Sequence, residues 1–495
     1  MRPQLTVRKV SPVMPIPGPG YSITMRISAP PSATAAGDLT SAVGRAGGVI
    51  TGFDVVESAT HQMVVDLSCN AQSQEHADAI TAAVDTLHGV QVRKVSDRTF
   101  LVHLGGKIEV TSKVPLRTRD DLSRAYTPGV ARVCLAIAAN PEDARRLTIK
   151  RNTIAVVTDG TAVLGLGNIG PAAALPVMEG KAALFKKFAG VDAWPVCLDT
   201  TDTEEIIRTV QLIAPVYAGI NLEDIAAPRC FEIEARLREL LDIPVFHDDQ
   251  HGTAIVVVAA LRNALRVVKK DIADCRIVVS GVGAAGSAII RLLLHNKPAD
   301  IVAVDIDGIV CRDRRGMDPN MAAIADATNS GAISGRLAEA VAGADVFIGV
   351  SAPDILTAAD VATMREGAVV FALANPDPEI DPLLAQPYAA VVATGRSDFP
   401  NQINNVLAFP GVFRGLLDAH AHEITDEMLL AASDALADVV APDQLNASYI
   451  VPSVFDEKVT PAVARAIVTA AGAGPRTGGG AKESALFAVA ETADR

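Results

Sequence analysis

From Ser22 the chain alternates, with Ile23, Met25 and Ile27 falling on one face, the period-2 pattern of a half-buried strand. A polar stretch up to Ala46 can form a helix. Gly47-Gly48 opens a second strand running through Val56, and Met63, Val65 and Leu67 alternate again. Helical periodicity follows over Glu75 to Leu87, and Val90, Val92 and Val95 mark a last strand. The order strand, helix, strand, strand, helix, strand predicts a ferredoxin-like βαββαβ sandwich over residues 20–100. Met1 to Gly20, rich in proline, reads as an irregular arm. Beyond Lys113 short apolar runs alternate with helical stretches, which predicts an α/β architecture. Thr153 to Val157, Val216 to Asn221 and Pro244 to Phe246 read as buried strands, and acidic residues closely follow all three. A new unit begins near Arg276. The expected organisation is therefore a small domain over 20–100, an α/β segment over 108–250, a second over 251–471, and a Gly-rich flexible tail over 472–495.

Composition narrows the function classes. Apolar residues make up 49% of the 495 and charged residues 20%, as in a globular protein with a sizeable core. A net charge of −13 with no basic run argues against nucleic acid, whose affinity comes from cations neutralising phosphates. The six cysteines form no CxxC pair, so neither a thiolate zinc site nor a disulfide framework is expected; they read as small buried hydrophobes in a reducing compartment. The N-terminus lacks the apolar core of a signal peptide, and the run Ala254 to Leu261 is too short to span a bilayer, so a cytoplasmic location is expected.

The first chemical signal is a strand, Arg276 to Ser280, running into Gly281-Val282-Gly283-Ala284-Ala285-Gly286 and then a helical stretch, Ser287 to His295. This is GxGxxG in the context a dinucleotide needs. The glycines allow a tight turn, close approach of backbone to pyrophosphate and close helix packing, while the helix N-terminus supplies donors. Asp305, 19 residues past Gly286, ends a second strand and can accept the ribose hydroxyls of NAD. It would repel the 2′-phosphate of NADP, although Arg312, Arg314 and Arg315 leave that cofactor open. Another strand, Val369 to Ala374, runs into Asn375, whose amide is placed for the nicotinamide ribose.

The second signal is acidic. Glu223-Asp224 follows one strand and Asp248-Asp249 another, four carboxylates within 27 residues. Such a collection repels itself unless a cation is present, and hard oxygen ligands suit Mg²⁺ or Mn²⁺. The alternative is helix capping by Asp248 or Asp249 ahead of Thr253 to Val268. His247 and His251 lack a third imidazole and read as surface or hydrogen-bonding residues.

Two resemblances give these signals a context. Residues 20–100, with Gly47-Gly48 at a tight turn, resemble an ACT domain, which implies a small-molecule effector and, since such modules usually pair, a homodimer or larger homo-oligomer. Tyr126-Thr127-Pro128-Gly129-Val130-Ala131, Thr158-Asp159-Gly160, Gly165 to Gly170, Pro176 to Lys181, and Gln402-Ile403-Asn404-Asn405 before Phe409-Pro410-Gly411 resemble, in order, the motifs of the malic enzymes. The resemblance spans residues 110–470. Gly160-Thr161-Ala162-Val163, where larger eukaryotic-type members carry an arginine, points to the smaller bacterial type and leaves the substrate-carboxylate contact unassigned.

What the resemblance implies is metal-dependent oxidative decarboxylation of (S)-malate to pyruvate and CO₂ with reduction of NAD. Tyr126 would be the general acid and Lys181 the general base and a substrate contact. Glu223, Asp224 and Asp249 would be the metal ligands, and Asn405 a malate contact. A lysine base must be shifted from ~10.4 towards ~7 to 8, a requirement of that role. Rival readings are a malolactic-type decarboxylase, a hydroxy-acid dehydrogenase without decarboxylation, and a sensor dominated by the ACT-like domain.

Overall fold

The computed structural model of the chain describes residues 17–163 and 165–472. The arm read over Met1 to Gly20 lies almost wholly outside the described residues, and the flexible tail from Gly472 lies outside them except for Gly472 itself. The chain divides into two compact units between Glu109 and Val110.

In the first unit six elements follow in sequence: β1 (Gly18–Ala29), α1 (Ala35–Arg45), β2 (Val49–Ala59), β3 (Gln62–Ala71), α2 (Gln74–Asp85) and β4 (Gln91–Asp97), with a short α3 (Arg98–His103) after them. The strands form an antiparallel sheet in the order β2-β3-β1-β4. The alternation in β1 sets its register. Met25 pairs with Leu67 and Ile27 with Val65, so the inward residues of β1 and β3 share a face. Against that face pack Leu39 and Val43 of α1 and Ile80 and Val84 of α2, all fully buried. Val49, Val55, Val56 and Val95 of the sheet remain exposed.

The second unit begins with three short helices, α4 (Arg119–Ala125), α5 (Val130–Ala139) and α6 (Asp143–Leu147), none of which buries a residue. Next comes a parallel sheet in the order β6-β5-β7-β8, from β5 (Thr153–Thr158), β6 (Asp192–Cys197), β7 (Gly219–Leu222) and β8 (Val245–His247). α7 (Pro171–Ala189), α8 (Thr203–Ile213) and α9 (Arg229–Leu240) connect these strands. Every residue of β5 and β7 is buried, which explains their unbroken rather than alternating apolar pattern. The strand read from Val216 starts at Gly219 instead, because Ala214–Val216, with Pro215 near its start, coil into a 3₁₀ turn.

After β8 the chain makes a π-helical turn, Asp248–Gly252, and enters α10 (Thr253–Val268), eleven of whose residues are buried. The turn and helix together are long and apolar enough to cross a bilayer, yet they run through the protein core. A second sheet follows, in the order β11-β10-β9-β12-β13-β14, built from β9 (Arg276–Ser280), β10 (Asp300–Asp305), β11 (Gly308–Ile309), β12 (Val346–Gly349), β13 (Val369–Ala372) and β14 (Val391–Thr394). All of its pairings are parallel except the β10–β11 hairpin. α11 (Ala284–His295) links β9 to β10. One apolar core joins the two sheets: Ile154, Val156 and Phe246 from the first, Ile277 and Val279 from the second, and the α10 residues between them. Phe185, Phe246, Phe409 and Phe413 form its aromatic centre, the Phe185 and Phe409 rings 4.6 Å apart and edge-on.

Three cysteines, Cys69, Cys230 and Cys275, are buried as expected, whereas Cys134 on α5 is exposed because that helix has no buried face.

Candidate active site

β9 ends at Ser280, and the chain turns through Gly281, whose φ of +103° and contact with the Val350 carbonyl both require glycine. A Cβ on Gly286 would lie 1.8 Å from the Gly281 carbonyl oxygen, so α11 can start this close to the strand only without one. A Cβ on Gly283 would meet nothing within 4 Å. The turn is therefore tight on its inner side and open on its outer side, with the N-terminus of α11 beside the opening. This is the cradle a dinucleotide pyrophosphate fits. Asp305 ends β10, the strand paired with β9, and Asn375 stands exposed just beyond β13. Both thus lie on the carboxyl side of the same sheet.

The acidic cluster forms at the carboxyl ends of β7 and β8. Ligand oxygens of Glu223, Asp224 and Asp249 lie within 4.8 Å of one another. Asp224 adopts φ +54°, an uncommon backbone for a non-glycine residue, and its amide donates to Asp249 Oδ2 at 2.9 Å, locking the two strand ends together. Its carbonyl accepts from the amide of Ala162, and the preceding glycine-rich loop presses Gly165 against the Asn375-Pro376 turn. The metal-type cluster and the cofactor-type sheet are linked by that loop.

Burial and mutual repulsion decide the electrostatics. Loss of solvent pushes the Glu223 carboxyl well above its ordinary range, and Asp249, Asp248 and Asp224 push it further against the pull of Lys181. Asp224 rises for the same reasons to about 8. Asp224 Oδ2 is buried and has no hydrogen-bond partner. A buried acceptor without a donor, beside two more carboxylates, is what a divalent cation would satisfy, so the residues present fit Mg²⁺ or Mn²⁺.

Lys181, on α7, is buried, with 8% of its surface exposed. Its Nζ donates to Asp248 Oδ2 at 2.6 Å, lies 3.0 Å from Glu223 Oε1, and sits over the Phe409 ring, 4.4 Å from the centroid. The lysine role inferred from sequence needs a depressed pKa, and the setting does the opposite. Burial pulls the ammonium down, but Asp248 and Glu223, with Asp249 behind them, outweigh it and hold the group above its ordinary value. Asn405, at the start of a 3₁₀ turn, donates from Nδ2 to the same Asp248 oxygen, so Lys181 and Asn405 meet at one carboxylate.

The structure thus gathers Lys181, Glu223, Asp224, Asp249 and Asn405. It does not gather Tyr126, which caps the end of α4 with 67% of its surface exposed; among the described residues no hydrogen bond joins it to the cluster.

Two family models match this chain: the malic enzyme N-terminal domain over residues 105–238 and the malic enzyme NAD binding domain over residues 250–472. The chain belongs to the malic enzyme family. It is 57% identical to an NAD-dependent malic enzyme of Geobacillus stearothermophilus, over 92% of this chain and 95% of that one. It is 54% identical to a bifunctional malic/malolactic enzyme of Bacillus subtilis, over 74% of this chain and 90% of that one. A crystal structure of an NAD-dependent malic enzyme from Thermotoga maritima superposes with a TM-score of 0.73 at 48% identity, covering 75% of this chain and 99% of that one.

Sequence reasoning about this malic enzyme missed three things. Asp248, offered as a helix cap, is fully buried and holds Lys181 and Asn405; α10 instead begins after Gly252, with no side-chain cap. Of the surface or hydrogen-bonding roles read for His247 and His251, the surface one fails for both, which are buried, and the hydrogen-bonding one holds for His251. His251 Nε2 lies 2.6 Å from Glu234 Oε1, and Gln250 donates to the other Glu234 oxygen, so a buried carboxylate on α9 braces the π-helical turn. Arg229 pairs with the buried Asp159 at 2.8 Å behind the glycine-rich loop. The adjacent acids after β8 were the available signal for Asp248, since neighbouring residues in a turn point to different sides.

Proposed function

We infer that this protein oxidises (S)-malate at C2 with NAD and decarboxylates the product to pyruvate and CO₂. The observation that carries the reading is a buried lysine in contact with Asp248 and Glu223, next to the Glu223, Asp224 and Asp249 triad and linked by one loop to a dinucleotide cradle.

When bound, a divalent cation at the triad would supply Lewis acidity to the C2 oxygen and NAD would accept the C2 hydride. Lys181 contacts this acid cluster through Asp248 and Glu223, and it is positioned at Nζ to take the C2 hydroxyl proton once it has passed its own to Asp248. The same carboxylates hold the Lys181 ammonium above its ordinary value, so this transfer requires a bound cation to offset their charge. Asn405 donates from Nδ2 and orients a malate carboxylate, while the aromatic floor at Phe409 excludes water from the lysine side. Tyr126 is assigned the proton at C3, which requires its exposed side to be covered during turnover. The Gly281 to Gly286 turn, Asp305 and Asn375 hold the cofactor.

NADH and pyruvate formed in equal amounts from L-malate, NAD and Mn²⁺, and abolished by EDTA, are the expected result. Lactate without net NADH would replace the reading with the malolactic one, which the Bacillus subtilis relative makes the specific rival.

The first unit we assign a regulatory, ACT-like role, with an effector of unspecified chemistry. The catalytic part is assigned to two segments, 108–250 and 251–471, in a cytoplasmic homo-oligomer. Exposed Leu122, Tyr126 and Leu135 on the unburied helices α4 and α5 support the oligomer. The Thermotoga maritima chain is matched over nearly all its length by three-quarters of this one, which supports a catalytic part that works without the remainder. Removal of residues 1–105 is expected to retain kcat within about threefold, a change of under 1 kcal/mol in the barrier. It should also abolish any response to amino-acid and organic-acid effectors in steady-state assays. Unchanged responses would remove the regulatory assignment.

A further inference from the structure

Arg314 is the unexplained residue of the cofactor side. Its guanidinium donates from Nη1 to Asp305 Oδ1 and from Nη2 to Asp305 Oδ2, both at 2.7 Å, and Nη2 also reaches Asp307 Oδ2 at 2.9 Å. The Asp305 and Arg314 side chains are largely buried, 12% and 19% exposed, whereas Asp307 is in the open. The other two cations of the segment are elsewhere: Arg312 pairs with Asp326, and Arg315 is exposed.

Asp305 ends β10 beside the glycine turn, whose Gly281 amide donates to the Val304 carbonyl. Ile306, between the two aspartates, is 93% exposed and offers an apolar surface to a flat base. A fork-to-fork pair uses one lone pair on each carboxylate oxygen and leaves others for ribose hydroxyls. On the arginine side, both terminal nitrogens bond Asp305, and Nη2 bonds Asp307 as well.

We propose that Arg314 is a ready-made ligand for the 2′-phosphate of NADP, kept from that task by Asp305, so that this one ion pair sets the nicotinamide cofactor preference. The proposal rests on the assignment of the Gly281 to Gly286 turn as the dinucleotide site. With Asp305 present, its charge repels a 2′-phosphate and the guanidinium is neutralised. With that charge removed, the guanidinium stands at the ribose edge with Nη1 free and Nη2 held only by the exposed Asp307, which a 2′-phosphate can displace for a two-point contact. No cation needs to be introduced for the preference to change.

The test uses the full-length protein with Asp305→Ser, the nearly isosteric Asp305→Asn as a second variant against misfolding, Arg314→Ala, and the double variant Asp305→Ser with Arg314→Ala. The kcat/KM for NAD and NADP is measured with saturating malate and Mn²⁺, and adenosine 2′,5′-bisphosphate and AMP are titrated by calorimetry. Each serine or asparagine variant is expected to lose about tenfold with NAD and gain about tenfold or more with NADP, with tighter binding of the bisphosphate than of AMP. The double variant is expected to lose that gain, because the coupling runs through Arg314. Loss with NAD and no gain with NADP, or a gain that survives in the double variant, overturns the role of Arg314 and leaves the dinucleotide site standing. An unchanged KM for NAD and unchanged AMP binding in both Asp305 variants overturns the site assignment and the proposal with it.

Discussion

Lys181→Ala is expected to lower kcat on the order of 10³-fold, the scale of a positioned proton acceptor, while leaving the dissociation constant for NADH within a few-fold. The two readouts separate because the lysine lies in the acid cluster on α7, whereas the cofactor cradle is at the start of α11. Steady-state NADH formation gives the first and quenching of NADH fluorescence the second. Loss of NADH binding together with turnover would count against the assigned role. The substitution also leaves Asp248 and Glu223 buried without their cation. Breaking a buried pair in this way costs about 3–5 kcal/mol unless the carboxyls protonate. A lower Tm is therefore expected in EDTA, with recovery in Mn²⁺, whose charge replaces the missing one. Lys181→Arg controls for charge. It keeps a cation that can still lie over Phe409 but gives up no proton, so it should fold better than the alanine variant and turn over as poorly.

How much of this site could be read in the sequence depended on whether its cause was local. The turn at Gly281 to Gly286 is local: glycine is demanded by contacts with Val350 and with the turn's own carbonyl, and the strand and helix signals flank it directly. The metal triad was nearly so, because carboxylates placed just beyond buried strands project to the ligand-binding edge of a parallel sheet. The unbroken apolar runs of β5 and β9 announced buried parallel strands for the same kind of reason. Arg314 was visible as one of three candidate cations, but only the fold shows which of them reaches Asp305.

Long-range partners left no such mark. Nothing near Lys181 in the chain announces that residues 223, 248 and 409 close around it, so neither its burial nor the direction of its pKa could be read. For His247 and His251 the sequence left a surface or a hydrogen-bonding role open, and only the fold shows that both are buried and that His251 meets Glu234 on α9. The strand start at Gly219 was misread because apolar Val216 continues the pattern while Pro215 favours a turn, and backbone preference won. Tyr126 is the opposite case: its motif is clear, yet the chain's own fold leaves it on an unburied helix end.

Asp248 supplies the second large expected effect, and two substitutions separate its possible roles. As a cap for the following helix, Asp248→Asn would be nearly silent, because asparagine caps as well as aspartate. As the carboxylate that holds Lys181 at 2.6 Å and Asn405 by the same oxygen, it would not be silent. The amide has the right shape but no charge, so its oxygen can accept from both donors only through neutral, weaker bonds. Asp248→Asn is therefore expected to lower kcat about 100-fold, the cost of losing a charge-assisted bond that orients the proton acceptor. The KM for malate should rise as well, because the bond that orients Asn405 is weakened. Asn405→Ala isolates the second part: it leaves the Lys181 to Asp248 bond in place and should raise KM with a smaller effect on kcat. Unaltered kinetics in Asp248→Asn would return the residue to a capping role and break the link between lysine and asparagine. A KM effect in Asn405→Ala without any kcat effect in Asp248→Asn would leave substrate binding intact as a reading and remove Asp248 from the proton path.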